Sequence, residues 1–450
     1  MAIFLAAIDA SIVNIALPTL EQDLNTTFAW VQWVVLAYLL TITGLVMTFG
    51  RLGDMLGKKK LYLAGFVVFT TGSALCGMAP NIHFLIGFRA LQGIGGSILQ
   101  ALGIAIITEA FPSHERGKAL GIGGTMVSVG IALGPSLGGI LISLFGWRSI
   151  FLVNVPIGIV GVFVAHRYIP VSQSKGRQRF DILGAFLLTI TLLAFSLGMT
   201  LSQENGFDDA LVLLLLIGCV VGLGVFLMVE NRSPHPIIRL EMFRNRNFTL
   251  SLAAGVSVFV VVATNFIVPF YLEFGRGYEV QQIGLMIGAF PIMLGVLSPL
   301  AGSLSDRFGT RPISLLGLCI SIVACLGLST LNDHTSVLGF VLRLTLLGGG
   351  IGVFQSPNNS AIMGSVPKDQ LGVASSLLAT SRNVGQSIGL PILGTVFATR
   401  TFDLAGKTSE ISQTPAYAVI GGIQTVYLSA AILLMMTAAI FAWNLQQIKR

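Results

Sequence analysis

The sequence predicts an all-α polytopic membrane protein of two six-helix bundles plus two extra transmembrane helices, fourteen spans in all. Composition is the first reason. The 450 residues are 54% hydrophobic and only 10% charged, with a mean hydropathy of +0.85, whereas a soluble domain carries about 25% charged residues. Second, apolar runs long enough to cross a hydrocarbon core of about 30 Å recur along the whole length. Third, the chain repeats itself. The stretch Gly50-Arg-Leu-Gly-Asp-Met-Leu-Gly-Lys-Lys-Lys60 returns as Gly302-Ser-Leu-Ser-Asp-Arg-Phe-Gly-Thr-Arg311, with Gly50, Leu52, Asp54 and Gly57 aligned on Gly302, Leu304, Asp306 and Gly309.

The spans fall at about 2–20, 29–51, 61–80, 83–109, 118–144, 148–169, 182–203, 210–230, 249–272, 281–305, 312–331, 336–363, 371–399 and 418–444. Arg89 pairs with Arg343 at an offset of 254, and Gly130 and Gly134 pair with Gly385 and Gly389 at 255. A same-sense repeat implies two bundles in the same orientation, and two similar halves with a charged turn in each are most simply a secondary transporter. The domains expected are residues 1–169, an inserted helix pair at 182–230 between basic linkers, and residues 249–445.

Charge sets the expected topology. With both termini cytoplasmic, four of the 26 Lys and Arg lie outside (Arg148, Arg276, Arg400, Lys407) and three lie within spans (Arg89, Arg343, Arg382). The remaining nineteen are cytoplasmic, as the positive-inside rule requires. The net charge of +7 therefore reflects topology, and no basic–aromatic cluster suggests nucleic acid. The first span lacks a basic leader or small-residue cleavage site, so it reads as a retained span rather than a signal peptide. Cys76, Cys219, Cys319 and Cys325 all fall in apolar runs without metal-site spacing and read as small core residues; no metal or cofactor is expected.

The residues that can carry chemistry are the polar ones at membrane depth. Asp9, mid-span, is costly there and is expected to bind and release protons, with structural pairing to a buried Arg as the alternative. Arg89 is its natural counter-charge, since a guanidinium stays charged and must find acceptors. Gln92, one turn further on the same face, can complete that polar cluster and is also expected to line the substrate cavity. Gly130, Gly134 and Gly138 have small-residue spacing and, with Pro135, suit a pivoting seam between the two bundles. Asp54 and Asp306 sit in the repeated turns, where Asp54 is expected to cap a helix start or latch a neighbouring bundle. Gln355-Ser-Pro-Asn-Asn-Ser360 is a proline-broken polar patch, tolerated at that depth only against a cavity or other protein. With Arg382 and Asn14 it is expected to line a substrate cavity. Glu109 and Glu230, at span ends, are expected to be solvated.

Together these segments resemble the major facilitator superfamily, specifically its fourteen-span drug:proton antiporter branch. The Gly50–Lys60 stretch resembles the signature loop after span two. The Arg89 segment resembles the fourth-span motif, and Gly130–Gly139 resembles the Gly-Pro motif found mainly in exporters. Asp9–Pro18 and Gly146–Gly158 point to the fourteen-span branch. The resemblance covers essentially the whole chain. It implies export of lipophilic, often cationic, small molecules driven by inward proton flow across a bacterial inner or plasma membrane. It also implies proton coupling at Asp9 and Arg89 and gating at Gly50, Asp54 and Gly57. Two departures stand out: Thr310 and Pro312 replace the lysines in the second turn, and the modest loop Arg400–Tyr417 gives an adaptor protein little to dock on. A symporter or narrow-specificity metabolite transporter of the same fold is the alternative. A membrane-embedded enzyme fits less well, because the five histidines are scattered.

Overall fold

The computed structural model describes residues 1–110, 116–169, 182–233, 240–367, 371–406 and 410–448. Fourteen helical runs follow one another: α1 (Ala2–Asp23), α2 (Phe28–Leu56), α3 (Lys58–Gly77), α4 (Ile82–Ala110), α5 (Arg116–Phe145), α6 (Ser149–Tyr168), α7 (Ile182–Asn205), α8 (Ala210–Arg232), α9 (Arg246–Gly275), α10 (Val280–Phe308), α11 (Thr310–Leu328), α12 (Val337–Gly364), α13 (Leu371–Ala405) and α14 (Ala416–Ile448). Thirteen are long and apolar enough to cross a membrane. The exception is α13, 35 residues long, whose first half carries Thr380, Ser381, Arg382, Asn383, Gln386 and Ser387. Fourteen helices are present, and α13 is the one whose described residues fall outside the apolar set.

The chain divides into two compact units, Met1–Ile238 and Arg239–Arg450. In the first, α1 packs on α5, α2 on α4, and α3 on α4 and α6. In the second, α9 packs on α13, α10 on α12, and α11 on α12 and α14. The repeat is thus a repeat of packing. Its register can be read where glycines let backbones touch. Gly95 of α4 abuts the Phe69 amide and Gly65 carbonyl of α3, and Gly350 of α12 abuts the Ser321 amide and Gly317 carbonyl of α11. This aligns α3 with α11 at an offset of 252 and α4 with α12 at 255. The sequence pairing of Arg89 with Arg343 at 254 is therefore one residue off. Leu344 occupies the place of Arg89, and Arg343 that of Phe88.

The inserted pair belongs to the first unit. Gly44 of α2 leaves room for Thr189 of α7. At the far end Gln32 Nε2 donates to Gln203 Oε1 (2.9 Å) and Thr27 Oγ1 donates to Glu204 Oε1 (2.9 Å). Asp209 starts α8 by accepting from the Leu211 and Val212 amides. Leu214, Val220 and Met228 leave α8 exposed along its length, as expected for a lipid-facing helix. Glu230 departs from expectation: it is buried, not solvated. The side chain of Glu109 lies outside the described residues.

Three local expectations are corrected. The signature turn is mostly helix: α2 runs to Leu56 and α3 starts at Lys58, leaving Gly57 alone as the joint, with φ 95° and ψ 124°. Gly309 repeats it at φ 87° and ψ 152°. Both conformations suit glycine only, so the glycine makes the turn. Asp54 consequently sits in the last turn of α2 rather than in a loop; its side chain lies outside the described residues. Second, the polar patch at Gln355–Ser360 is not broken, for α12 runs through Pro357. Third, α9 is less regular than expected. It tightens to a 3₁₀ turn at Ala263–Phe266 and widens to a π turn at Tyr271–Gly275. Between them Pro269 removes the amide that would continue the helical ladder.

Candidate functional site

The first unit closes around a single carboxylate. Asp9 is the one acidic residue of the described helices that lies away from a helix end, and it is fully buried. Arg89 Nη1 donates to Asp9 Oδ2 at 2.8 Å. Gln92 Nε2 and Asn154 Nδ2 donate to Asp9 Oδ1 at 2.8 and 2.9 Å. Ser73 Oγ lies beneath both amides, accepting from each at 3.1 Å and donating to the Phe151 carbonyl at 2.9 Å. Arg89 spreads its remaining donors over the Val34 carbonyl (3.0 Å) and Gln92 Oε1 (2.7 Å). Its guanidinium lies 4.2 Å from the Tyr38 ring centre, a cation–π contact. Five helices (α1, α2, α3, α4 and α6) thus meet at one point, and every side chain of the cluster is at most 3% exposed.

Three donors converge on Asp9, one of them a permanent cation, and the ion pair is neutral as a whole. Removing one partner of such a pair costs about 3–5 kcal/mol, because the other charge is left buried. Protonating Asp9 does the same thing reversibly: it cancels the acceptor of a guanidinium that cannot itself deprotonate. What this arrangement can do chemically is exchange a proton at Asp9 and repack around the change. Among the described residues no group of His, Cys, Asp and Glu could hold a metal ion.

Sequence reasoning brought Asp9, Arg89 and Gln92 together correctly, though Gln92 sits in this sealed cluster and not on a cavity wall. It missed Asn154 and Ser73. Asn154 lay in the Gly146–Gly158 segment, read only as a branch marker; a lone amide in an apolar span was the available signal. Asn14, five residues beyond Asp9 on α1, is partly exposed, with Oδ1 unpartnered. In the second unit Asn358 is buried and donates to the Ser251 carbonyl of α9 (3.1 Å), and Gln355 is partly exposed. Arg382 lies over the Phe259 ring, 5.6 Å from its centre.

The glycine face of α5 was expected at a seam between bundles. It lies instead against α1 of its own unit. A side chain at Gly130 would meet Ala7 and the Phe4 carbonyl, one at Gly134 would meet Ser11, and one at Gly138 would meet Ile12. Pro135 is buried on the same helix. Gly385 and Gly389 of α13 repeat this contact against Phe259 and Val260 of α9. The α5 glycines flank Asp9, so they fix the helix that carries the carboxylate. Gly50 differs: nothing lies near it. Asp306 is exposed at the end of α10.

Comparison with known proteins places this geometry. The family profile described as the Major Facilitator Superfamily matches residues 1–390 and again 250–448. The chain is 36% identical over 437 residues to the riboflavin transporter RibZ of Clostridioides difficile, covering 96% of this chain and 92% of that protein. It is 33% identical over 400 residues to the multidrug resistance protein Stp of Mycobacterium tuberculosis, covering 88% of this chain and 74% of that protein. The multidrug transporter protein MdtP of Bacillus subtilis is 31% identical over 407 residues, covering 90% of this chain and 75% of MdtP. Among solved structures, a bacterial homologue of the lysosomal transporter Spinster shares the fold with a TM-score of 0.70 at 16% identity, covering 98% of this chain and 94% of that one. The chain is a multi-pass membrane transporter and belongs to the Major Facilitator Superfamily.

Proposed function

We propose that the protein is a fourteen-span, proton-coupled antiporter that exports lipophilic aromatic compounds by alternating access, with both termini in the cytoplasm of a bacterial cell. One observation carries the reading: a carboxylate, neutralised by an arginine, stands alone in the membrane interior of the first unit. Proton arrival at Asp9 releases Arg89, and the two helices that hold them, α1 and α4, lose their electrostatic tie. The tie reforms when the proton leaves on the inner side. Gly130, Gly134, Pro135 and Gly138 give α1 its close partner through that change, and Gly57 and Gly309 are the joints at which helix pairs turn. Asn14, Gln355, Asn358 and Arg382 line the substrate path. Asp54 and Asp306 act at the ends of the jointed helices.

Often cationic substrates are what the family resemblance implies; Asp9, paired with Arg89, adds no net charge that would favour them. A narrow-specificity exporter or symporter is the second reading, and a specific observation favours it: the relative that shares 36% identity is a riboflavin transporter. A planar aromatic substrate is common ground for both.

The test is transport by purified protein in liposomes. An imposed proton gradient should drive accumulation of a lipophilic dye, and a protonophore should abolish it. Dye movement indifferent to both gradient and protonophore would sink the coupled-antiport reading.

A further inference from the structure

The second unit holds a cation that the proton mechanism does not use. Arg382 lies in the first half of α13, the long helix too polar to face lipid on all sides. Among the described residues it has no hydrogen-bond or ion-pair partner, and its Nε is buried and unpartnered. The neighbouring Asn383 has its Nδ2 in the same condition. The acidic residues of the unit's helices, Glu273, Asp306 and Asp403, all stand near helix ends. One contact is present: the Phe259 ring of α9, whose centre lies 5.6 Å from the guanidinium carbon. Both Arg382 and Phe259 are partly exposed, so the pair is reachable from outside the core.

Two adjacent donors without acceptors, beside an aromatic face, are half of a recognition site. A buried donor left unpaired is destabilising, and an arginine is matched best by carboxylate, imide or other planar acceptor groups. The first unit shows what satisfaction looks like, since Arg89 has its carboxylate there. We propose that Arg382 and Asn383 bind the acceptor-bearing, anionic edge of an aromatic substrate whose ring system stacks against Phe259. The site therefore selects planar aromatic anions over the lipophilic cations expected from the sequence. This rests on the reading that the second unit contributes to the substrate path, and it deepens that reading by naming the charge of the cargo.

The experiment uses the intact protein in nanodiscs and two xanthene dyes of similar tricyclic size, anionic fluorescein and cationic rhodamine 6G. Equilibrium binding is followed by fluorescence anisotropy with no gradient, so a failure of proton coupling leaves this result readable. Fluorescein should bind more tightly than rhodamine 6G. Arg382→Gln should weaken fluorescein about tenfold or more, the loss of one charge-assisted contact, while Arg382→Lys retains most of the affinity. Phe259→Leu should weaken both dyes alike. Tighter binding of rhodamine 6G, fluorescein binding unchanged in Arg382→Gln, or binding of neither dye would each overturn the proposal. The wild-type preference needs no variant, so misfolding of Arg382→Gln, detected by size-exclusion chromatography, does not protect the idea.

Discussion

The two units repeat one packing scheme and fill it with opposite chemistry. Carried over by the register of the glycine contacts, Asp9, Ser73, Arg89 and Gln92 of the first unit correspond to Val261, Cys325, Leu344 and Leu347 of the second. All four counterparts are fully buried. The first unit thus encloses a satisfied ion pair where the second has an ordinary apolar core, and the second exposes an unsatisfied cation on α13 instead. The fold does not require the ion pair, because the same helices pack without it. That weighs against a purely structural role for Asp9 and Arg89, and it fits the proposal of proton chemistry at Asp9 and anion recognition at Arg382.

The sharpest way to break this comparison is to graft one core into the other. Arg89→Leu alone leaves Asp9 buried and unpaired, and should cost about 3–5 kcal/mol of stability. Adding Asp9→Val, Gln92→Leu and Ser73→Cys, with Asn154→Leu to remove an amide left without either acceptor, completes the apolar set. It should recover most of the loss, because well-packed apolar replacements of buried pairs are often neutral or stabilising. Thermal unfolding in detergent reads both steps. If the graft is as unstable as the single variant, the cores are not interchangeable. Gradient-driven transport should be absent in the graft.

A second prediction concerns close backbone approach. A methyl at Gly95 would lie 2.3 Å from the Phe69 amide nitrogen, and one at Gly350 2.7 Å from that of Ser321. Gly95→Ala and Gly350→Ala should each cost about 1–3 kcal/mol by overpacking. Gly50→Ala, with nothing within 4 Å, should be neutral or gain up to about 1 kcal/mol from helix propensity. Equal unfolding temperatures for the three variants would contradict the register. At the joints, Gly57→Ala and Gly309→Ala should each cost about 1–3 kcal/mol for the forced backbone conformation, with transport slowed more than binding. The subtlest prediction is Asn154→Ala. Asp9 loses one of its three donors, so gradient-driven transport should fall severalfold while gradient-free substrate exchange is kept. Equal loss of both, with reduced stability, would leave Asn154 a purely structural residue.

Much of this was legible in the sequence, for identifiable reasons. Composition and run length gave the helices, because a bilayer permits few alternatives. The Asp9–Arg89 pair could be anticipated because two opposite charges at membrane depth in one bundle have few partners but each other. The false match of Arg89 to Arg343 came from trusting residue identity over register. Only the glycine contacts reveal the three extra residues between α11 and α12 relative to α3 and α4. The turn at Gly57 looked longer than it is because charged residues mark a membrane surface as readily as a loop. Asn154 was hidden for a different reason. An amide carries no charge to betray its depth, and only packing shows that α6 brings it to the carboxylate.

The central claim is that Asp9 couples the proton without being required to bind substrate. The most direct measurement compares wild type with Asp9→Asn in liposomes, in two modes. One is accumulation driven by a proton gradient, and the other is exchange of labelled for unlabelled substrate with no gradient. The account predicts that Asp9→Asn loses the first and retains the second. Loss of both would place Asp9 in binding or in the fold, and retention of both would remove it from the proton path.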